Sequence, residues 1–179
     1  MQIAVLSDIH DNVWKLAVAL EAVKGAEILV CCGDLCSPFV LDQLARGFQG
    51  PIHIVFGNND ADLYRITAKN AKYPHVQLRG EYFEADWDGR KIAVNHFNYI
   101  AMPIVRSGEY DAVFFGHNHV YQNQRVGKTL ALNPGSIMGC QFDGEANRTD
   151  VDSTFAIYDT GTGAATGFRI VGQDVAVMA

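Results

Sequence analysis

Long apolar runs are missing from this 179-residue sequence. Segments such as Ile3 to Leu6, Ile28 to Cys32 and Ala112 to Phe115 are far too short to cross a bilayer, and no charged start precedes a signal-type apolar core. No membrane partner is expected, and the protein is expected in the cytoplasm. Positive charge is also scarce. Fourteen lysines and arginines against twenty aspartates and glutamates give a net charge of −6, which offers no long-range attraction to a nucleic-acid backbone. A polymeric nucleic-acid partner is therefore not expected. Cysteine is limited to positions 31, 32, 36 and 140, without the paired spacing of a zinc site or the density of a disulfide scaffold. These read as buried free thiols in a reducing compartment, with Cys31 and Cys32 on opposite faces of a strand.

What is present is ordinary globular composition, 49% hydrophobic and 19% charged, in a length that suits one domain spanning residues 1–179. Short runs rich in Ile, Val and Phe alternate with segments of helical period, as expected of strands crossed over by helices in an α/β sandwich. Ile3 to Leu6, Ile28 to Cys32 and Ile52 to Phe56 read as strands. Between the first two, Val13, Leu16, Ala17, Leu20 and Val23 share a helical face, with Asp11 or Asn12 as N-cap and Gly25 at the end. Ser37 and Pro38 open a second helix. After about residue 75 hairpins take over, beginning with Glu81 to Trp87 and Lys91 to Asn95 around the Asp88-Gly89 turn. Ala112 to Phe115, Thr129 to Leu132, Thr154 to Tyr158 and Ala165 to Ile170 are further strands. Gly139 to Ser153 lacks both periodicity and a packed face, and reads as a long functional or mobile loop.

Polar residues of catalytic type gather just past the carboxyl ends of these strands: Asp8 and His10, Asp34, Asn58 to Asp60, His96, and His117 with His119. Loops leaving the carboxyl ends of strands in α/β sheets converge on one crevice, so residues far apart in sequence can meet there. Each cluster alone is weak. Asp8 can cap a turn, Gly33-Asp34 and Gly57-Asn58-Asn59 are common turn sequences, and His117 and His119 can be solvated. Together they place four of only six histidines at equivalent positions; His53 and His75 lack that placement and read as structural.

Asp-x-His, Gly-Asp, Gly-Asn-x-Asp, a strand-end His and Gly-His-x-His, in this order, resemble the calcineurin-like metallophosphoesterases, and among them the small phosphodiesterase branch. The resemblance runs from Met1 to about Ile170 and takes in Asn133-Pro134-Gly135-Ser136. It implies an αββα sandwich of two mixed sheets flanked by helices. It also implies a site in which Asp8, His10 and His119 hold one divalent ion, Asn58, His96 and His117 hold a second, and Asp34 bridges them. Imidazole and carboxylate ligands without thiolate suit manganese, with nickel, iron or zinc as alternatives. Two such ions against the charges of Asp8 and Asp34 leave a formal surplus of about +2, which draws phosphate. The reaction implied is hydrolysis of a small phosphate ester by in-line attack of a metal-bound hydroxide, the ions roughly 3.5–4 Å apart. Asp34, Asn58 and His96 are the catalytic candidates, and Asn58 ligates without adding charge.

The sequence departs from the family pattern at several points. Larger relatives carry a histidine, thought to assist the leaving group, where Asn59 stands. Asn59 cannot donate a proton, which predicts preference for diesters and activated aryl esters. The arginine that follows Gly-Asp in protein phosphatases is absent. Phe97 replaces a common glycine and either narrows the mouth of the site or packs beneath it. Asp11 also replaces a glycine, in a turn whose geometry Asp tolerates. Arg148 is a phosphate clamp or a solvated loop residue. Trp14 is read as packed on the first helical turn rather than stacked on a nucleobase. The competing function is a catalytically weak scaffold or sensor that keeps the fold, as in a retromer subunit of this family. The full ligand set favours the enzyme. An oligomer is compatible with the sequence, and neither the natural substrate nor the native metal is legible in it.

Overall fold

A computed structural model describes residues 1–178. Its larger sheet has seven strands in the order β14-β13-β12-β1-β2-β3-β4. Here β1 is Gln2–Leu6, β2 Ile28–Cys31, β3 Ile52–Ile54, β4 Val76–Leu78, β12 Ser153–Asp159, β13 Ala164–Val171 and β14 Asp174–Val177. The first four run parallel, and β12 joins them antiparallel to β1. The second sheet has the order β5-β6-β7-β9-β8, with β5 Tyr82–Trp87, β6 Arg90–Asn95, β7 Ala112–Phe114, β8 Gln122–Val126 and β9 Thr129–Asn133. Strands β6, β7 and β9 are parallel, and β5 and β8 are antiparallel edges.

Alternation along the central strands explains the layering. Ile3, Val5, Ile28 and Val30, with Tyr158 of β12, face the second sheet and share its core of Ile92, Val94, Phe114 and Leu132. The intervening Ala4, Leu6, Leu29 and Cys31 face the helices α1 (Val13–Ala22) and α2 (Pro38–Gly47). Strands covered on both faces need continuous apolar runs, which is why β1 and β2 read so plainly in the sequence. On the far side, Ala93, Val113 and Ala131 pack against Ala101 and Val105 of α4 (Asn98–Ser107). With α3 (Leu63–Asn70) beside α2, the order is helices, sheet, sheet, helix: the expected αββα sandwich. Cys31 and Cys32 are buried on opposite faces as expected, and Cys140 is buried. Cys36 is only half-buried, because it lies in the loop after β2.

Two expectations need correction. Gly139 to Ser153 is not a structureless loop. It contains the two-stranded ribbon of β10 (Cys140–Phe142) and β11 (Arg148–Asp150). Its turn is closed by Asp143 Oδ1, which accepts from the backbone N–H groups of Glu145 and Asn147. The ribbon buries only Cys140, so no alternation announces it. Trp14 is not packed: it is 76% exposed, pointing away from the buried stripe of α1. The N-cap of α1 is Asn12, whose side chain accepts from Lys15 N–H. Among the described residues no helix is long and apolar enough to cross a membrane.

Candidate metal centre

Five parallel strands, β1, β2 and β3 of the larger sheet and β6 and β7 of the smaller, deliver chemical groups at their carboxyl ends. Asp8 and His10 follow β1, Asp34 follows β2, Asn58 follows β3, His96 follows β6, and His117 and His119 follow β7. The structure brings all seven into one crevice. Asp8 Oδ1 stands 3.3 Å from His119 Nε2 and 3.8 Å from His10 Nε2. His10 Nε2 and His119 Nε2 face each other at 3.2 Å. Asp34 Oδ2 lies 3.4 Å from both His10 Nε2 and His96 Nε2, midway between the two histidine sets. Asn58 Oδ1 is 3.1 Å from His96 Nε2 and 2.9 Å from His117 Nδ1. Two carboxylate–histidine groups have ligand atoms close enough to share an ion: Asp8, His10 and His119, and Asp8, Asp34 and His96. Asp8 belongs to both groups.

The outer nitrogens fix how these rings face. His96 Nδ1 donates to the Cys32 carbonyl and His119 Nδ1 to the Cys140 carbonyl, each at 2.7 Å. A carbonyl can only accept, so in the neutral rings both Nε2 lone pairs point inward. Inward-facing lone pairs meet two carboxylates and an amide oxygen, and such a cluster of acceptors needs protons or cations between its members. Asp8 Oδ1 shows the need most clearly: it is buried without a hydrogen bond. The donor set therefore fits divalent ions.

The titration pattern has the same cause. Burial would raise the Asp8 carboxyl, yet the neighbouring His10 and His119 hold it well below its ordinary value. Burial likewise opposes the lowering of Asp34, which comes from His96 and Asn59. For His96 and His119 burial pulls down, but Asp34 beside the first and Asp8 beside the second raise them. His117 is lowered by partial burial and then by the neighbouring His96.

Surrounding residues hold this arrangement. Asp60, to which sequence reasoning gave no task, accepts from the backbone N–H groups of Asp34 (2.9 Å), Cys36 (2.8 Å) and Gly57 (2.8 Å), tying the β2 and β3 loops together. Its signal was the last position of Gly-Asn-x-Asp. Ser136 Oγ donates to the Asp8 carbonyl at 3.0 Å, and Asn133 Nδ2 to the Gly116 carbonyl at 3.0 Å, so Asn133 to Ser136 braces both the Asp8 and the His117 loops. Asp11 takes the left-handed φ of 59° and accepts from Ser37 N and Oγ at the start of α2. Gly116 must be glycine, since a methyl there would collide with Ser7 Oγ and Asp8 Oδ2. Phe97 is half-buried, its ring 5.0 Å from His96 and 5.2 Å from His117, so it flanks the crevice rather than lying wholly beneath it. Arg148 sits on β11 and donates to Asp150 at 2.7 Å. A groove of about 880 Å³ between α1 and α2, lined by Leu20, Phe39 and Phe48 with Glu21, Lys24 and Arg46, holds none of the crevice residues. Its lining is mostly apolar, and its few charged groups do not converge on one point as the crevice donors do.

The family model of the calcineurin-like phosphoesterase superfamily domain matches residues 1–163. The chain belongs to the calcineurin-like phosphoesterase superfamily. A phosphodiesterase of Methanocaldococcus jannaschii is 26% identical over 143 residues, covering 78% of this chain and 86% of that protein. An archaeal phosphodiesterase structure superposes with a TM-score of 0.82 at 23% identity, covering 95% of this chain and 100% of the other. The zinc complex of Vps29 from Entamoeba histolytica gives 0.70 at 18% identity over 99% and 97% of the two chains. A phosphoesterase of E. coli gives 0.66 at 19% identity over 100% and 97%. These superpositions establish a shared sandwich. Membership places the chain among the metal-dependent phosphoric ester hydrolases, in the branch of small phosphodiesterases that its motifs resemble.

Proposed function

We propose that the chain, as one domain over residues 1–179, is a phosphodiesterase working with two divalent ions. Asp8, His10 and His119 would hold one ion and Asn58, His96 and His117 the other, with Asp34 as the ligand shared by both. The observation that carries this reading is the position of Asp34 Oδ2, 3.4 Å from a ring nitrogen of each set. The oxygen and imidazole donors favour manganese, with nickel, iron or zinc as alternatives. When bound, the ions supply Lewis acidity toward phosphate oxygens and activate water near neutral pH.

The side chains' part is orientation. Asn59 donates its backbone N–H to Asp34 Oδ1 and its amide Nδ2 to Asp34 Oδ2, both at 2.8 Å, which fixes the carboxylate plane. The Cys32 and Cys140 carbonyls set the rotation of His96 and His119. Neutral Asn58 contributes an oxygen without cancelling charge, so the loaded crevice keeps its pull on phosphate. Displacement at phosphorus is in line, the leaving oxygen departing opposite the attacking one. No group at position 59 can protonate it, so good leaving groups and diesters are the substrates of choice. In this proposal the enzyme works in the cytoplasm on a small ester, not on polymeric nucleic acid or at a membrane.

The test is hydrolysis of bis(4-nitrophenyl) phosphate by chelator-stripped protein with manganese, nickel or zinc restored, beside Asp34→Ala. Metal-dependent turnover lost in the variant is the expected result. Two ions bound per chain without turnover would instead support a scaffold or sensor. Serine phosphate and the aryl diester turned over at equal rates would remove the role given to Asn59.

A further inference from the structure

We infer that Tyr99 forms a stacking platform selecting esters that carry a planar aromatic group. This rests on the phosphoesterase reading of the crevice and adds to it the class of substituent.

The platform grows outward from the proposed ligands. His117 contacts Asn58 through Nδ1, and its ring centroid lies 5.2 Å from that of His96 with the ring planes at 73°. Phe97 stands against both imidazoles, and Tyr99 follows at 5.3 Å from Phe97 and 5.9 Å from His117. Four rings thus run from the buried His96 to the surface, where Tyr99 is 61% exposed. A lone exposed aromatic needs no explanation. This one is held at a fixed distance from the reacting centre by a contiguous ring ladder.

The backbone beneath it is anchored. Asn95 Oδ1 accepts from Phe97 N–H at 2.8 Å, and the Phe97 carbonyl accepts from Ile100 and Ala101 as α4 begins. Tyr99 therefore sits in the first helical turn, its ring in contact with Phe97 and His117 and otherwise largely exposed. Aromatic pairs favour centroid separations of 4.5–7 Å and gain beyond simple area burial. A planar ring on the ester could lie on Tyr99 while its phosphate reaches His117 and Asn58. Ile100, 42% exposed in the same turn, extends the apolar surface.

The experiment compares binding of phenylphosphonate and methylphosphonate to the manganese-loaded protein by calorimetry. Both are non-hydrolysable and differ only in the substituent. The wild type should favour the phenyl compound by about tenfold, Tyr99→Phe should keep that preference, and Tyr99→Ala should lose most of it. In parallel, Tyr99→Ala should raise KM for bis(4-nitrophenyl) phosphate while leaving kcat nearly unchanged. Turnover of that diester with equal affinity for the two phosphonates overturns the platform and leaves the enzyme reading standing. So does a phenyl preference that survives in Tyr99→Ala. Phenyl preference lost in Tyr99→Ala, without turnover by the wild type, keeps the platform and removes the catalytic reading. Binding of neither phosphonate overturns the platform, and turnover of the diester then decides the enzyme reading by itself.

Discussion

At the edge of the sheets away from the crevice the chain reverses mostly on glycine: Gly89, Gly108, Gly127 and Gly163 have positive φ, with Asp88 the side-chain-bearing residue beside them. At the crevice edge the same left-handed region is occupied by Asp8, His10, Asp11, Asp34, Cys36, His117 and His119. Glycine visits that region freely, whereas a side chain there costs about 1 kcal/mol or more, with Asp and His among the more tolerant types. The far edge is built for easy reversal. The near edge accepts strain to aim carboxylates and imidazoles at one point, and the surrounding hydrogen bonds of Asp60, Ser136 and Asn133 hold it there.

The largest effect that tests this contrast is Asp8→Ala. Turnover should fall on the order of a thousandfold or more, while the protein still folds: the unsatisfied Oδ1 goes, and with it the single bond that Oδ2 accepts from His117 N–H. A loss under tenfold in steady-state rate would break the assignment. Next is Gly116→Ala, whose methyl meets Ser7 and Asp8. Overpacking of about 3 kcal/mol should appear as a lower urea midpoint together with lost metal affinity.

Histidines divide along the same line. His53 lies between the sheets against Phe83 and Trp87, accepting from Arg79 Nε at 3.2 Å, and is a packing residue as its position inside a strand suggested. Burial, aided by the Arg79 charge, lowers it to about 4. Its folded value lies below the unfolded one of about 6.5, so its contribution is complete above that pH and is lost as pH falls through the folded value. Wild type should therefore lose on the order of 2 kcal/mol more than His53→Gln between pH 7 and 4, measured by denaturant titration at each pH. Equal slopes would show that Arg79 and burial do not set the titration. The smallest effect is Gly89→Ala at the far edge. Nothing lies within 4 Å of the added methyl, so only the positive φ resists it, and about 1 kcal/mol should be lost with metal affinity intact.

What could be read from sequence follows the same division. Strands β1, β2 and β3 are buried on both faces, so their apolar runs stood out, and the loops after them carried the crevice residues. Helix α4 was illegible because Pro103 lies inside it, and the short edge strands β4, β8 and β14 bury too little to leave a pattern. The β10–β11 ribbon is held by hydrogen bonds, which hydrophobic spacing cannot report. Residue types announced what could gather in the crevice. Asp8 standing in both carboxylate–histidine groups, the three amide bonds to Asp60, and Tyr99 at the end of the ring ladder depend on distances that only the folded chain supplies.

Strand order also sets a timetable. β1 lies between β2 and β12, and the Met1 carbonyl accepts from Thr160 N–H at 3.0 Å. One edge of β1 stays unpaired until residue 153 and beyond have left the ribosome. A nascent chain can form the parallel half of the larger sheet early, but the Asp8 loop waits for Ser136 and the sheet for β12. Translation arrested near residue 130 should therefore expose an unfinished β1 edge, and emergence of Ser136 and then β12 should complete the crevice and the larger sheet beside β1.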